Sequence, residues 1–225
     1  RGHRGRMEMH VSVKGVSCHG SAPERGVNAI YKASRIALEI EKLNSRLPDD
    51  AFLGKGTVTV TEMVSSSPSL CAVADGARLH LDRRLTAGET RESAIAEVRD
   101  AAAKAGVPEA DVTPLAYREA AYTGKVYPME KYYPTWTLPE DSPYLHRSRK
   151  AYRDLFGSEA HVDKWTFSTN GIAIAGIHGI PCLGLGPGNE VYAHAPNEAT
   201  PIEQLTGAAA FYTALAQTLA NEAGK

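Results

Sequence analysis

The chain has 225 residues, of which 43% are hydrophobic, enough for one large domain or two small ones with an ordinary core. Its 25 lysines and arginines nearly balance 26 aspartates and glutamates, so the net charge of -1 offers no field that would gather nucleic acid or an anionic membrane. No apolar run approaches the roughly 20 residues of a membrane-spanning helix, and three scattered cysteines form no CxxC pair. These features favour a cytoplasmic protein with neither a nucleic-acid nor a membrane partner.

The first 121 residues alternate strand and helix patterns. Strands are predicted where apolar and polar side chains alternate with a period of two, at 7–14, 56–64, 77–85 and 111–119. Helices are predicted where apolar residues recur three and four apart, from 28 to 47 and from an N-cap at Thr90 to a stop at Gly106. The order βαββαβ is that of a ferredoxin-like domain, in which four antiparallel strands carry two helices on one face.

The rest of the chain predicts a second, less complete domain. A proline-rich stretch at 122–143 indicates a surface linker and a domain boundary. Helices are predicted at 142–156, 170–178 and 201–222, and one apolar strand at 180–185. These elements are typical of the edge of an α/β layer and make a poor core alone. We therefore predict two domains, residues 1–121 and residues 122–225.

His194, in GNEVYAHAPNEATP, follows a Gly-Pro-Gly loop of the kind in which α/β sheets place ligand-binding groups. A neutral imidazole is a common zinc ligand, and Glu198 could orient the ring by accepting its second N–H. Spacing alone favours the simpler alternative, a loop histidine in front of Pro196 with a carboxylate near a helix N-terminus.

His19, in GVSCHGSAPERGVNAI, follows the first predicted strand among small residues that would let a ligand approach the backbone. A histidine there could donate a hydrogen bond to a developing oxyanion. The alternative, which the residues alone favour, is a solvent-exposed turn histidine.

Asp82, Arg83 and Arg84 end a predicted strand in LHLDRRLTAGET. A planar guanidinium suits bidentate capture of a substrate carboxylate, and the alternative is a surface ion pair that contributes little. Because side chains alternate along a strand, only one of the two arginines can share a face with Asp82.

Ser168, Thr169 and Asn170 stand at the start of a predicted helix in WTFSTNGIAIAG. Free backbone N–H groups at a helix start favour an anion, and the alternative is an ordinary N-cap.

Four stretches in chain order resemble the co-catalytic zinc aminohydrolases of the acetylornithine deacetylase, succinyl-diaminopimelate desuccinylase and carboxypeptidase G type. The stretches are CHGSAPERGVNAI, ADGARLHLDRRL, FSTNGIAIAGIHGIPCLGLGPG and HAPNE. Within that family, SLCAV, LDRRLTAGET and KWTFSTNG are most similar to the selenium-metabolism hydrolases. The combination favours the metal assignment of His194 over the loop alternative.

The resemblance implies a ferredoxin-like lid domain that mediates dimerisation, followed by the C-terminal part of a zinc-peptidase-like α/β catalytic domain. It implies that His194 is a metal ligand, and that His19 stabilises the tetrahedral intermediate in the active site of the opposite subunit. It also implies that Arg84 holds a substrate carboxylate. The residues implied to line the substrate end are Ser168, Thr169 and Asn170. The implied cofactor is two zinc ions per site, which cobalt or manganese can replace.

Two departures limit this transfer. Asn170 stands where family members often carry Asp, and Cys71 lies near a position where they carry Asn, so contacts to the substrate tail are not carried over there. The family's other metal ligands and its general base lie upstream of the lid domain and do not occur in this chain. The chain also opens without a methionine, so we expect a segment to precede it. Because the general base and the other metal ligands are missing, we expect that this fragment cannot turn over alone.

The sequence thus predicts a metal-dependent hydrolase of amide or peptide-like bonds, of deacylase or dipeptidase type, that acts as a homodimer on a small molecule. Two alternatives stay open: a non-catalytic dimerisation or ligand-binding module, and a ureido-acid amidohydrolase.

Overall fold

The computed structural model describes residues 1–223, and its internal contacts divide the chain into two compact units. One unit is Arg4–Thr135, and the other combines Arg1–His3 with the residues from Trp136 onward. The stretch after residue 121 therefore stays in the first unit as far as Thr135. The assignment of lid and catalytic domains to these units stays a prediction.

The Arg4–Thr135 unit is built on an antiparallel sheet with two helices. Its main strands are β1 (Gly5–Lys14), β2 (Thr57–Ser66), β3 (Gly76–Leu85) and β4 (Asp111–Pro114), and its helices are α1 (Ala29–Leu43) and α2 (Arg91–Lys104). The strand order is β4-β1-β3-β2, and a fifth, two-residue strand, Tyr132–Tyr133, pairs with β1 on the same side as β4. The predicted ferredoxin-like arrangement is confirmed.

Alternation along β1 and β3 places one apolar face of the sheet against the helices. The fully buried side chains on this face include Met7, Met9, Val11, Leu79 and Leu81. Each helix begins at a predicted polar residue. The Asn28 side chain accepts from the Ile30 N–H at 2.9 Å, and Thr90 and Ser93 form a reciprocal capping box. The opposite face of the sheet, which we call the open face, is polar.

Short elements complete this unit. Two further pairs of two-residue strands are Asp49–Asp50 with Gly54–Lys55, and Ala116–Tyr117 with Met129–Glu130. Single turns of 3-10 helix span Pro23–Arg25 and Asn44–Arg46. The predicted strand at 111–119 is thus divided, because the chain stops pairing with β1 and pairs instead with Met129–Glu130.

The second unit contains helices α3 (Pro143–Phe156) and α4 (Ile202–Ala223), which pack against each other. Gly157 ends α3 in the left-handed conformation, with φ of 68°. The strands Gly2–His3 and Trp136–Thr137 pair in an antiparallel manner, and a 3-10 turn spans Glu190–Tyr192.

Two predictions for the second unit need correction. The predicted strand at 180–185 is wrong, since this stretch has no regular structure and no described strand lies alongside to complete a ladder. The helix predicted at 170–178 forms only as a short π-helical segment, Ile172–Ile177. No helix within residues 1–223 has both the length and the apolar character that a membrane crossing requires.

Candidate functional site

His19 lies exposed in the loop that joins β1 to α1. The loop is fixed by backbone bonds, including one from the Gly20 N–H to the Cys71 carbonyl at 2.7 Å. It crosses itself closely at Gly15, where a Cβ atom would lie 2.1 Å from the Val27 carbonyl oxygen. Only glycine permits this approach. The sequence therefore holds His19 on an ordered loop.

Ser21 fixes the imidazole of His19. Its main-chain N–H donates to His19 Nδ1 at 3.1 Å, and its hydroxyl lies 2.8 Å from the same nitrogen. Because an amide N–H can only donate, Nδ1 carries the lone pair and the neutral ring has its proton on Nε2. His19 can therefore offer an N–H donor at its outer nitrogen, as a group that stabilises an oxyanion must.

Arg84 lies near the end of β3 and is held by Asp82. Its Nε donates to Asp82 Oδ1 at 2.7 Å and its Nη2 to Asp82 Oδ2 at 3.3 Å. Within the described residues its Nη1 makes no hydrogen bond. The guanidinium is thus oriented on one edge and keeps donors that could bind a carboxylate.

Arg83 lies on the opposite face, as the alternation of the strand predicts. It is fully buried, where it pairs with Glu89 and also donates to Glu97 Oε2 at 2.8 Å. Its Nη1 donates to the main-chain carbonyl of Arg84 at 2.9 Å. Thus Arg83 fixes the strand end at which Arg84 stands.

Glu8 is the central acceptor of the open face beside Arg84. It accepts from Lys131 Nζ at 2.8 Å and pairs with Arg6 at 2.8 Å and with His80 Nε2 at 3.3 Å. Burial opposes ionisation of Glu8, but the bonds from Lys131 and His80 and the charge of Arg6 outweigh it and hold the pKa of this carboxyl below its usual range. Arg6 also donates to Asp82, so this network extends to the partner of Arg84.

The structure does not bring His19 and Arg84 together within one chain. His19 bridges to Ala72, at the end of the sheet where β3 begins, and Arg84 stands where β3 finishes. From Gly76 to Arg84 an extended strand covers roughly 25 Å. That distance exceeds the span of a small substrate.

The Ser168–Gly171 loop is only partly open to a ligand. Ser168 and Asn170 are exposed, but Thr169 is half-buried and its hydroxyl accepts from the Gly171 N–H at 3.1 Å. The Thr169 N–H donates to the imidazole of His3 at 3.0 Å. The N–H groups of Thr169 and Gly171 are therefore already used within the chain, which leaves fewer free N–H groups for the predicted anion site.

His194 is exposed and has φ of 63°, a left-handed conformation that is uncommon for residues other than glycine. Its main-chain N–H donates to Glu198 Oε2 at 3.1 Å. In the described residues Glu198 therefore contacts the main chain of His194, and it makes no hydrogen bond with the ring that it was predicted to orient. In the described residues no hydrogen bond joins His194 to the Ser168–Gly171 loop.

No three His, Cys, Asp or Glu side chains of residues 1–223 cluster closely enough to hold a metal ion. A two-metal site needs ligands for both ions about 3.5–4 Å apart. His194 alone does not fit that requirement.

Two residues, Ser21 and His3, make contacts at the candidate site that the sequence did not predict. Ser21 is only two residues from His19, and this short spacing could have indicated a hydrogen bond between their side chains. His3 contacts Thr169, which is 166 positions away in the chain, so nothing near either residue indicates the contact.

Comparison with known proteins shows what the chain is similar to. Residues 1–110 match the peptidase dimerisation domain. The chain is 53% identical over 217 residues to the uncharacterized protein YgeY of Escherichia coli, and the match covers 96% of this chain and 53% of that protein. The chain thus spans about half the length of this relative.

Solved structures share the fold. An aminopeptidase PepT from Bacillus cereus superposes with a TM-score of 0.66 at 18% identity, over 97% of this chain and 53% of its own. A tripeptidase from Staphylococcus aureus gives a TM-score of 0.66 at 21% identity, over 95% and 51% of the two chains. At these identities the likeness concerns the fold alone. The sequence match over residues 1–110 is more specific, because it matches this part of the chain to the peptidase dimerisation domain.

Proposed function

We propose that the whole protein hydrolyses an amide or peptide-like bond in a small molecule. This chain spans about half the length of its relative from Escherichia coli. The dimerisation-domain match supports this proposal, and the fold likeness to an aminopeptidase and a tripeptidase agrees with it. The reaction would be of deacylase or dipeptidase type, carried out by a homodimer. Residues 1–121 would form the lid domain and residues 122–225 the C-terminal portion of the catalytic domain.

The separation of His19 from Arg84 carries the proposal. His19 bridges to Ala72, before the start of β3, and Arg84 lies near the other end of that strand. With a strand length of roughly 25 Å between these two places, both side chains cannot touch one small substrate from the same subunit. In a twofold homodimer, however, His19 of one subunit and Arg84 of the other can serve one site. We therefore assign His19 to the site of the opposite subunit and Arg84 to the site of its own.

Each side chain then has a defined role. His19 would donate its Nε2–H to the oxyanion that develops on the attacked carbonyl. Arg84, oriented by Asp82, would bind a substrate carboxylate. Ser168, Thr169 and Asn170 would line the site at the substrate's far end, with Ser168 and Asn170 making the contacts.

In this proposal the metal site forms only in the whole protein, because this chain supplies only one of its ligands. By resemblance it would be zinc, with cobalt or manganese as substitutes, and His194 would be the ligand that this chain contributes. Since one histidine does not fit a two-metal site, the remaining ligands would come from the other half of the protein.

Mixed dimers of the whole protein test the division of labour. His19→Ala and Arg84→Ala variants are each assayed for amine release from N-acetylated amino acids and tripeptides with added zinc, cobalt or manganese, then refolded together in equal amounts. Both parents should be nearly inactive. Half of the mixed dimers would be heterodimers with one intact site, so the mixture should recover about one quarter of wild-type activity.

Recovery near zero would mean that both side chains serve the same subunit's site, which contradicts the proposed arrangement. Arg78→Ala is the matched control, because Arg78 is an exposed arginine on the same face of β3 and should keep full activity. Hydrolysis of N-carbamoyl amino acids alone would favour a ureido-acid amidohydrolase. Hydrolysis of none of these substrates would favour a non-catalytic dimerisation module.

A further inference from the structure

His3 is a buried imidazole that the proposed reaction does not use. It is 1% exposed and lies in the strand Gly2–His3, which pairs with Trp136–Thr137 on one side. On the other side His3 bridges to Trp165, and the main-chain N–H of Trp165 donates to the Gly2 carbonyl at 2.9 Å. The backbone of His3 is therefore fixed on both sides, and its ring has little freedom.

The hydrogen bonds of this ring determine its protonation. The Thr169 N–H donates to His3 Nε2 at 3.0 Å, so Nε2 must carry a lone pair and His3 is neutral with its proton on Nδ1. The Thr169 hydroxyl lies 3.1 Å from the same Nε2 and accepts from the Gly171 N–H. Because Nε2 has no proton to donate, the Thr169 hydroxyl is the donor in its contact with His3. A chain of donors runs from Gly171 through Thr169 to His3.

Trp136 holds the same loop from a second direction. Its ring makes an edge contact with His3, with 5.3 Å between centroids. A Cβ atom on Gly171 would lie 2.4 Å from Trp136 Cζ2, so this glycine is packed directly against the indole. His3 and Trp136 together fix the middle and the end of the loop, which leaves Ser168 and Asn170 exposed.

We propose that His3 is a positioning residue: its neutral Nε2 holds Thr169 so that Ser168 and Asn170 are presented in one fixed geometry to the polar tail of an amide substrate. The part concerning the substrate rests on the proposed function. Since Nε2 already accepts hydrogen bonds from Thr169, it has no lone pair to give a metal ion. His3 therefore acts through the loop and not on the reacting atoms.

Hydrogen exchange of the chain as it stands tests the positioning role without any substrate. Replacing the ring by one that cannot accept, His3→Phe, should speed amide exchange of Thr169 and Gly171 by about tenfold, the loss expected for one hydrogen bond. His3→Gln, whose side-chain carbonyl can accept, should restore part of this protection. His146→Phe, at an exposed position of α3, is the control and should leave the loop unchanged.

An unchanged loop in His3→Phe would overturn the proposal, and so would an equal increase of exchange over the whole second unit. Partial rescue by Gln separates loss of the acceptor from a general packing defect. In the whole protein, His3→Phe should raise KM about tenfold with a smaller change in kcat, if one lost bond is all that changes.

These two measurements separate the inference from the proposed function. If no substrate is hydrolysed but exchange increases locally, the proposed function fails and the positioning of the loop stands. If exchange increases and hydrolysis proceeds with an unchanged KM, the loop does not touch the substrate, and the substrate part of the inference is refuted.

Discussion

The hydroxyl of Ser21 should determine how strongly His19 favours the tautomer with its proton on Nε2. Ser21→Ala removes the donor at 2.8 Å but keeps the main-chain N–H at 3.1 Å, so the Nε2–H form should lose part of its excess. The lost bond corresponds to about 1 kcal/mol. Imidazole ¹⁵N chemical shifts, measured at about pH 8.5 where ordinary histidines are neutral, report the two tautomers directly.

Ser21→Thr keeps the hydroxyl and should leave these shifts close to those of the wild type. Identical ¹⁵N shifts in the alanine and wild-type proteins would show that the main-chain N–H alone fixes the ring. The same spectra should show His3 in the opposite tautomer, because its Nε2 is the acceptor. Two histidines of one chain thus differ in a property that their residue type cannot reveal.

At the scale of a single strand, Glu8 should make the stability of β1 depend on pH. Its folded-state pKa is lowered, so its ionised form contributes stability above the unfolded-state value of about 4.3, and that contribution is lost as pH falls through the folded-state pKa. Glu8→Gln should lower the free energy of unfolding by about 1–2 kcal/mol near neutral pH. The difference from wild type should shrink below about pH 4, because protonated Glu and Gln are alike in charge.

Urea unfolding at neutral and acidic pH measures this difference. Glu62→Gln is the matched control on the open face, since Glu62 is mostly exposed and lies 3.9 Å from Arg78 in a loose pair. Its effect should stay within about 0.5 kcal/mol. A Glu8 effect that is equally large at acidic pH would mean that packing, and not the charge, makes the contribution.

The elements were predictable where a local period decides the structure. β1, β3 and α1 carry their buried stripe in their own residues, and Thr90 marks the start of α2. The structure of the apolar stretch at 180–185 is not decided by its own residues, because a strand forms only when a neighbouring strand supplies hydrogen bonds. The face of Arg84 followed from alternation, whereas its distance from His19 followed only from the register of the sheet.

At the scale of the whole molecule, the Arg4–Thr135 unit has a sheet edge and an exposed helix surface that support the proposed homodimer. β2 is the edge strand of the sheet, and no strand in residues 1–223 pairs with its outer side. Such an edge is a template for pairing with another chain. α1 packs beside β2 and exposes Tyr31 and Leu38, at 67% and 57%, seven residues apart on one side of the helix. Edge and helix together offer the hydrogen bonds and the apolar area that a twofold interface needs.

We expect Tyr31→Glu combined with Leu38→Glu to convert the proposed homodimer into a monomer. Two carboxylates in the centre of the interface would have to lose their water, which costs several kcal/mol without a partner charge. Light scattering on the eluting protein measures the mass. Ala96→Glu, an equal change of charge at an exposed position of α2, should leave the dimer intact. A dimer that survives both glutamates would place the interface elsewhere, and His19 would then need another route to the partner's site.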